Sequence, residues 1–286
     1  MLRTCTREDF ERYADFAYAL SLDASASGYP AYYDGIKTKA DFLRRARAAF
    51  STDTEGILLF ECAGTVAGWI HYEALPDDRY LSTVSFSIAE HTQRALEEFC
   101  LFAQTHFPGY DLYLGFPAEN VKALAFLAAR GFERIEESVN HTAFLANLAP
   151  GAPGADVALV TTAEGFERFR ALHDGAAGDM YWTSERIWAD RARWLLFVCL
   201  AGEEPVGCAC AAKAGEGWYE IFGVDVKNGG ARRQTFSALV SAVLYEVKRQ
   251  GGKYVTFFCD AAEEEAVRRL GMTRIGGYVC CRKRLA

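Results

Sequence analysis

The chain has 286 residues, 51% of them hydrophobic and 24% charged, with a formal net charge of −7. That length fits two ordinary domains with a core each, no stretch approaches the roughly 18 apolar residues of a membrane helix, and the acidic balance leaves no broad basic face for nucleic acid. The first residues, Met1-Leu-Arg-Thr-Cys-Thr-Arg-Glu-Asp9, lack the apolar core of a secretory signal. Nine cysteines, an odd number scattered through apolar segments, imply buried thiols in a reducing cytoplasm and exclude a disulfide framework. Residues 1–150 hold 13 Lys and Arg against 21 Asp and Glu, while residues 151–286 hold 18 against 17. The second half is therefore the easier home for an anionic small molecule.

In chain order, Thr6 reads as a helix cap with Phe10 on the inner face of the helix it starts. The small residues Ala24-Ser-Ala-Ser-Gly28 predict a mobile segment, leading into the aromatic loop Gly28-Tyr-Pro-Ala-Tyr-Tyr-Asp-Gly35. A second helix is expected over residues 38–50, then strands over 57–62, 65–72 and 82–88, the first two joined by a Gly64-Thr65 turn. An amphipathic helix over 92–107, a strand over 111–116, a short helix and a closing strand complete the series. The stretch Ala146-Asn-Leu-Ala-Pro-Gly-Ala-Pro-Gly-Ala155 reads as a linker between units 1–148 and 155–286. Beyond it the series returns: a helix from Thr162, a helix over 184–193, strands over 194–200, 205–211 and 217–226, a helix over 235–250, a strand over 254–259, a short helix and a closing strand.

The return extends to the residues. Thr6-Arg-Glu-Asp-Phe-Glu-Arg-Tyr13 matches Thr162-Ala-Glu-Gly-Phe-Glu-Arg-Phe169, and Leu58-Leu-Phe-Glu-Cys62 matches Leu195-Leu-Phe-Val-Cys199. Ala129-Arg-Gly-Phe-Glu-Arg-Ile135 matches Arg269-Leu-Gly-Met-Thr-Arg-Ile275. Three matches in one order mark a duplicated domain, far too long in period for a solenoid. Each copy predicts an α+β fold with a mixed, mainly antiparallel sheet flanked by helices, parallel where a helix crosses over.

One stretch carries candidate chemistry. Trp218-Tyr-Glu-Ile-Phe-Gly-Val-Asp-Val226 reads as a strand, Gly229-Gly230 as a turn, and Arg232-Arg-Gln-Thr-Phe-Ser237 as a helix start with two arginines. Unpaired N–H groups and the helix dipole favour an anion there. Strand alternation puts Glu220 on one face with Phe222, Val224 and Val226, where partial burial would raise its pKa. A plain exposed strand carboxylate is the competing reading of Glu220. Cys208 with Cys210, and Cys280 with Cys281, read as small apolar strand residues, so no metal site is expected. His173 is alone in the second copy, and His71, His91, His106 and His141 share no spacing with one another.

The element order and these motifs resemble the GNAT superfamily of N-acetyltransferases, in two tandem copies covering nearly the whole chain. Asn120-Val-Lys-Ala-Leu-Ala-Phe-Leu-Ala-Ala-Arg-Gly-Phe132 is similar to that family's Asn-x-x-Ala-x-x-Phe-Tyr-x-x-x-Gly-Phe segment, and Arg232-Arg-Gln-Thr-Phe-Ser237 to its Arg/Gln-x-x-Gly-x-Gly/Ala loop. The resemblance implies acetyl-coenzyme A as cosubstrate. Val224, Asp225 and Val226 would flank its pantetheine arm, and Arg232, Arg233, Gln234, Thr235, Phe236 and Ser237 its pyrophosphate. It implies Glu220 as general base, one residue further from the loop than in the family pattern, and Tyr181 and Trp182 on the acceptor loop. The departures are Thr235 and Ser237 for the loop glycines, Leu127 and Val267 for the family's acid tyrosine, and Asp260 for the second asparagine. The first copy has Phe86-Ser-Ile-Ala-Glu-His-Thr-Gln-Arg-Ala-Leu96 in place of the loop, which implies that it does not hold coenzyme A in the usual way. The expected activity is acetyl transfer to a small amine by the second copy, without nucleic-acid or membrane partners. A catalytically inactive binding or regulatory protein, or transfer of another acyl or aminoacyl group, fits the same departures.

Overall fold

The computed structural model describes residues 1–29, 32–176, 181–229 and 231–286. Threonines set most of the early helix starts. Thr6 and Thr38 each accept a bond from the N–H three residues on, while their own N–H donates to Asp9 or Asp41. These capping boxes open α1 (Arg7–Ser21) and α2 (Lys39–Ala48). Thr162 accepts from Gly165 N–H at 3.1 Å ahead of α5 (Ala163–Ala176), and Thr183 caps α6 (Ser184–Ala189) through Arg186 N–H.

The chain forms two compact units, Met1–Ser138 with Gly276–Ala286, and Val139–Ile275. The sheet of unit 1 runs β1 (Leu2–Thr4), β2 (Glu55–Cys62), β3 (Thr65–Leu75), β4 (Tyr80–Ile88), β5 (Asp111–Pro117) and then β12 (Thr273–Arg284). Only β4 and β5 pair in parallel, across α3 (Thr92–His106); α4 (Val121–Ala129) follows β5. The sheet of unit 2 runs β7 (Val157–Leu159), β8 (Trp194–Ala201), β9 (Glu204–Gly215), β10 (Trp218–Val226), β11 (Tyr254–Cys259) and then β6 (Glu133–Phe144). Here β10 and β11 are the parallel pair, across α7 (Arg232–Arg249), and α8 (Glu264–Arg269) follows. The α+β class and the mixed, mainly antiparallel sheets agree with the sequence reading.

The closing strands do not fall where the sequence places them. Residues 139–144 of β6 pair antiparallel with β11, from Val139 opposite Cys259 to Phe144 opposite Tyr254. Residues 278–284 of β12 pair antiparallel with β5, from Tyr278 opposite Pro117 to Arg284 opposite Asp111. Each unit is thus finished by a strand that the repeat assigns to the other copy. The two strands hold equivalent places in the repeat, and the units divide at residues 138 and 275, away from the Pro-Gly linker.

Each sheet is covered on both faces. In unit 1, α3 and α4 bury Phe60, Ile70, Phe86, Phe99 and Phe116, while α1 and α2 bury Phe10, Phe42, Leu59 and Trp69. In unit 2, α7 and α8 cover Phe236, Leu239, Val243, Val247 and Phe257, and α5 and α6 cover Phe169, Ile187, Trp194, Cys208 and Cys210. Each such side chain contributes about 1.5–3 kcal/mol by leaving water. All nine cysteines are free, and Cys208, Cys210, Cys280 and Cys281 are buried. No helix among the described residues is long and apolar enough to cross a membrane.

Candidate functional site

The site begins with an irregularity in β10. Trp218–Ile221 pair in parallel with Tyr254–Phe257 of β11, and the other edge of β10 pairs with β9 as far as Val226 opposite Gly207. The β9 register slips between Ile221 and Gly223, which makes Phe222 the extra residue of a bulge. A bulge resets the alternation of side chains. Tyr219 and Ile221, and past the bulge Val224 and Val226, pack on the α7 side, whereas Phe222 packs on the α5 side and Asp225 reaches α5. Glu220, half-buried between Tyr219 and Ile221, belongs to the α5 face. The expectation that Glu220 shares a face with Val224 and Val226 is therefore corrected: the inserted residue turns the strand over between them.

The bulge also parts two strands. Pairing of β10 with β11 stops at Ile221 and Phe257, though both strands continue. Lys227 N–H donates to the Val206 carbonyl at 2.9 Å. Antiparallel alternation then turns Asp225 toward Cys208 and directs the N–H and C=O of Val224 and Val226 into the opening. No backbone group among the described residues pairs with that edge.

At the end of β10 lies the start of α7. Its cap residue, Ala231, makes no side-chain cap, and the first turn holds no acidic residue. Arg232 N–H donates to the Gly229 carbonyl at 3.2 Å and Thr235 N–H to the Ala231 carbonyl at 3.0 Å, so the N–H groups of Arg233 and Gln234 lie ahead of the helical ladder. Arg232, Arg233 and Gln234 are exposed, and Ser237 is half-buried. Arg232 donates to Glu263 at 2.9 Å. Burial pushes the Glu263 carboxyl up, with Arg232 pulling the other way. Two residues expected around the pyrophosphate point elsewhere. Phe236 is a core residue, 6.1 Å ring to ring from Phe257, and the Thr235 side chain packs over Gly207, where an added Cβ would come within 2.9 Å of it. The helical phase that buries Leu239 and Val243 carries Thr235 and Phe236 inward too. Gly230 of the expected turn lies outside the described residues.

On the α5 face, His173 is fully buried, stacked on Phe169 at 5.0 Å. Its Nδ1 lies 3.2 Å from Asp225 Oδ2 and its Nε2 2.8 Å from the Trp182 carbonyl. Burial pushes the ring's pKa down, but the bonds to Asp225 and Trp182 outweigh burial and the net shift is upward. Trp182 packs on Trp194 at 5.2 Å and Phe222 at 6.0 Å under the Arg193 guanidinium, so its ring pins the loop to the core. Tyr181 is 41% exposed, with the Arg186 guanidinium 4.0 Å from its ring centroid. Asp179 and Met180, which directly precede Tyr181 in the sequence, lie outside the described residues. Sequence reasoning misses the His173–Asp225 pair; the available signal is His173 four residues after Phe169, on the helix's inner face.

In unit 1 the equivalent opening is filled. β4 slips register against β3 between His71 and Tyr72, and its pairing with β5 stops at Ser82 and Tyr113. Past that point Gly28 N–H donates to the Phe86 carbonyl at 2.5 Å, Ile88 N–H to the Ala26 carbonyl at 2.9 Å, and Tyr29 N–H to the Gly115 carbonyl at 2.8 Å. Asn120 caps α4 and donates to the Ser27 carbonyl at 3.0 Å. Residues 26–29 thus lie as a strap between β4 and β5. Their small size, which predicts mobility, serves close packing instead: a Cβ on Gly28 would stand 2.9 Å from the Phe86 Cβ. Leu127 and Val267, at the two places of the family's tyrosine, are fully buried core residues.

Known structures share this fold. A GCN5-related N-acetyltransferase from Sphaerobacter thermophilus superposes with TM-score 0.65 at 18% identity, over 100% of this chain and 95% of that one. A tandem GNAT protein from the clavulanic acid biosynthesis pathway superposes with TM-score 0.57 at 16% identity, over 100% and 99%. A GCN5-related N-acetyltransferase from Kribbella flavida gives 0.52 at 17%, over 77% and 88%. No protein-family model matches the sequence, and no curated protein does. At these identities the likeness is one of fold: the chain has the GNAT fold, laid out in tandem over its full length.

Proposed function

We propose that the chain is an acetyl-coenzyme A-dependent N-acetyltransferase acting on a small amine, with unit 2 as the working copy and unit 1 as its scaffold. The observation that carries this reading is the contrast between the two openings: the Val224–Val226 edge has no backbone partner among the described residues, and the Phe86–Ile88 edge is taken by the chain's own residues 26–29. An extended pantetheine arm can add to the open edge as a strand does, through the N–H and C=O of Val224 and Val226. Its pyrophosphate would meet the N–H groups of Arg233 and Gln234 and the Arg233 side chain, with Arg232 exchanging Glu263 for phosphate. In the reaction the amine nitrogen attacks the thioester carbonyl carbon, the C–S bond breaks, and the thiolate leaves with coenzyme A. Glu220 is the candidate to take the amine's proton. With Val267 at the tyrosine place, the thiolate takes its proton from water.

The buried Val267 and the Arg232–Glu263 pair favour a second reading, a coenzyme A-binding module without turnover. Calorimetric titration with acetyl-coenzyme A tests the site. Binding is expected, weakened about 5- to 10-fold in Arg233→Ala, which corresponds to about 1–1.4 kcal/mol. Absence of binding at millimolar ligand sinks both readings. Binding without thiol release, across a panel of amines, selects the second.

A further inference from the structure

Inside unit 1, three polar atoms are buried with nothing to bond. Trp69 Nε1, Ser85 Oγ and Ser87 Oγ have no hydrogen-bond partner among the described residues. Trp69 is fully buried, and Ser85 and Ser87 are 3% and 1% exposed. Register puts the three side chains together. Trp69 lies opposite Ser87 across β3 and β4, and His71 lies opposite Ser85. Opposite residues share a face, as do residues two apart on a strand. Ile70 and Phe86, between them, pack on the α3 side, while Trp69 packs on the α1 side with Phe10 and Phe42. The three side chains therefore lie on the face that α1 covers, with directly opposed Cβ atoms about 4.5–5.5 Å apart.

The repeat explains why they are left unpaired. Ser87 stands between Phe86 and Ile88 as Asp225 stands between Val224 and Val226. In unit 2, Asp225 lies opposite Cys208 and meets His173 of α5 at 3.2 Å. Thr6 matches Thr162, and the same spacing onward leads to Ala17 in α1 and His173 in α5. α1 packs on β4, and the fully buried Ala17 offers a methyl group where α5 offers an imidazole. A methyl group bonds no hydroxyl, so Ser87 gets no partner from the helix.

Unpaired buried groups of this kind are destabilising, and protein interiors pair nearly all of them. The missing partner must accept from the indole N–H, which can only donate, and that turns away a cation. Around His71, Glu55 at 2.8 Å and Glu73, 3.6 Å from Arg45, set two carboxylates against one guanidinium. Burial lowers the His71 pKa, so the ring adds no charge at neutral pH and nothing draws an anion. An apolar guest would leave all three groups unpaired. Water both donates and accepts, and it meets the requirement.

From this geometry we infer that unit 1 holds an internal water beneath α1, accepting from the Trp69 indole N–H and donating to the Ser85 and Ser87 hydroxyls, in the role that the His173 imidazole fills in unit 2. Ser27 of the strap pairs with Ser87, which closes the site on that side and makes the water long-lived. The inference is independent of acyl transfer.

A crystal structure of the full chain tests it first. A density peak the size of one water is expected within about 3.2 Å of Trp69 Nε1 and of at least one of the two serine hydroxyls. Rotated side chains that bond one another there, a peak larger than water, or no peak at all overturns the inference. Oxygen-17 relaxation dispersion, which counts long-lived waters, provides the test in solution. The double variant Ser85→Ala, Ser87→Ala should show about one fewer such water than the wild type. Trp69→Phe, which removes the indole N–H, should show the same loss. An unchanged count in both variants overturns the inference, and if either variant fails to fold, the wild-type density decides.

Discussion

His173 and His71 are both buried imidazoles beside a carboxylate, and they are driven in opposite directions. His71 lies 2.8 Å from Glu55, but burial and the nearby Arg45 win and its pKa is lowered. His173 has two acceptors, and their bonds raise its pKa despite burial. The linkage signs follow. The stabilisation from His173 is complete below the unfolded value of about 6.5 and is lost as pH rises through the folded value. Burial of His71 costs stability as pH falls from about 6.5 toward its lowered folded value. Melting temperatures of the wild type and His173→Gln should therefore differ most in mild acid and converge as pH rises; a gap that widens with pH contradicts the assignment. Such pairs are poorly legible in sequence, because Asp225 and His173 lie far apart and only the fold brings them together. The face of Glu220 is hidden for a related reason: no residue pattern announces that Phe222 is the extra one. The inward turn of Phe236, by contrast, is legible, since it sits in register with Leu239, Val240 and Val243.

Helices are the most legible elements because caps and the 3.6-residue period are written locally, as Thr6 with Asp9 and Thr38 with Asp41 illustrate. The three-residue strands β1 and β7 are not legible, being too short to show any alternation. The strap at residues 26–29 misleads because small residues signal either looseness or tight fit, and only the neighbours decide. Its fit makes a prediction. Gly28→Val should cost about 1–3 kcal/mol in denaturant unfolding through overpacking against Phe86, and in that variant the backbone amides at positions 28 and 88 should exchange faster with deuterium. In the wild type, acetyl-coenzyme A should slow exchange at Val224 and Val226 and leave Ile88 unchanged. Ligand-induced loss of protection at Ile88 would show the strap to be displaceable.

At the scale of the whole molecule, the tandem fold is legible because one unit is written twice and the copies support each other. Which closing strand joins which sheet is not, since β6 and β12 answer to the same pattern and the choice rests on long-range pairing. The exchange bears on dissection. A fragment of residues 1–132 has neither β6 nor β12 and leaves the β5 edge bare, so it should be insoluble or unfolded by circular dichroism. A single proteolytic cut in the exposed Pro-Gly stretch should leave the two pieces together on native gel filtration, because residues 139–144 remain paired with β11. Clean separation of the pieces contradicts the pairing.

The same exchange imposes a timetable on synthesis. β5 leaves the ribosome long before β12 exists, and β6 is the first equivalent strand to arrive beside it. A nascent first half that closed on β6 would have to undo that pairing before β6 joins β11 and β12 takes its place at β5. Refolding of the full chain should accordingly show a slow phase whose amplitude falls when a synthetic peptide of residues 276–286 is present from the start, because the peptide occupies the β5 edge ahead of β6.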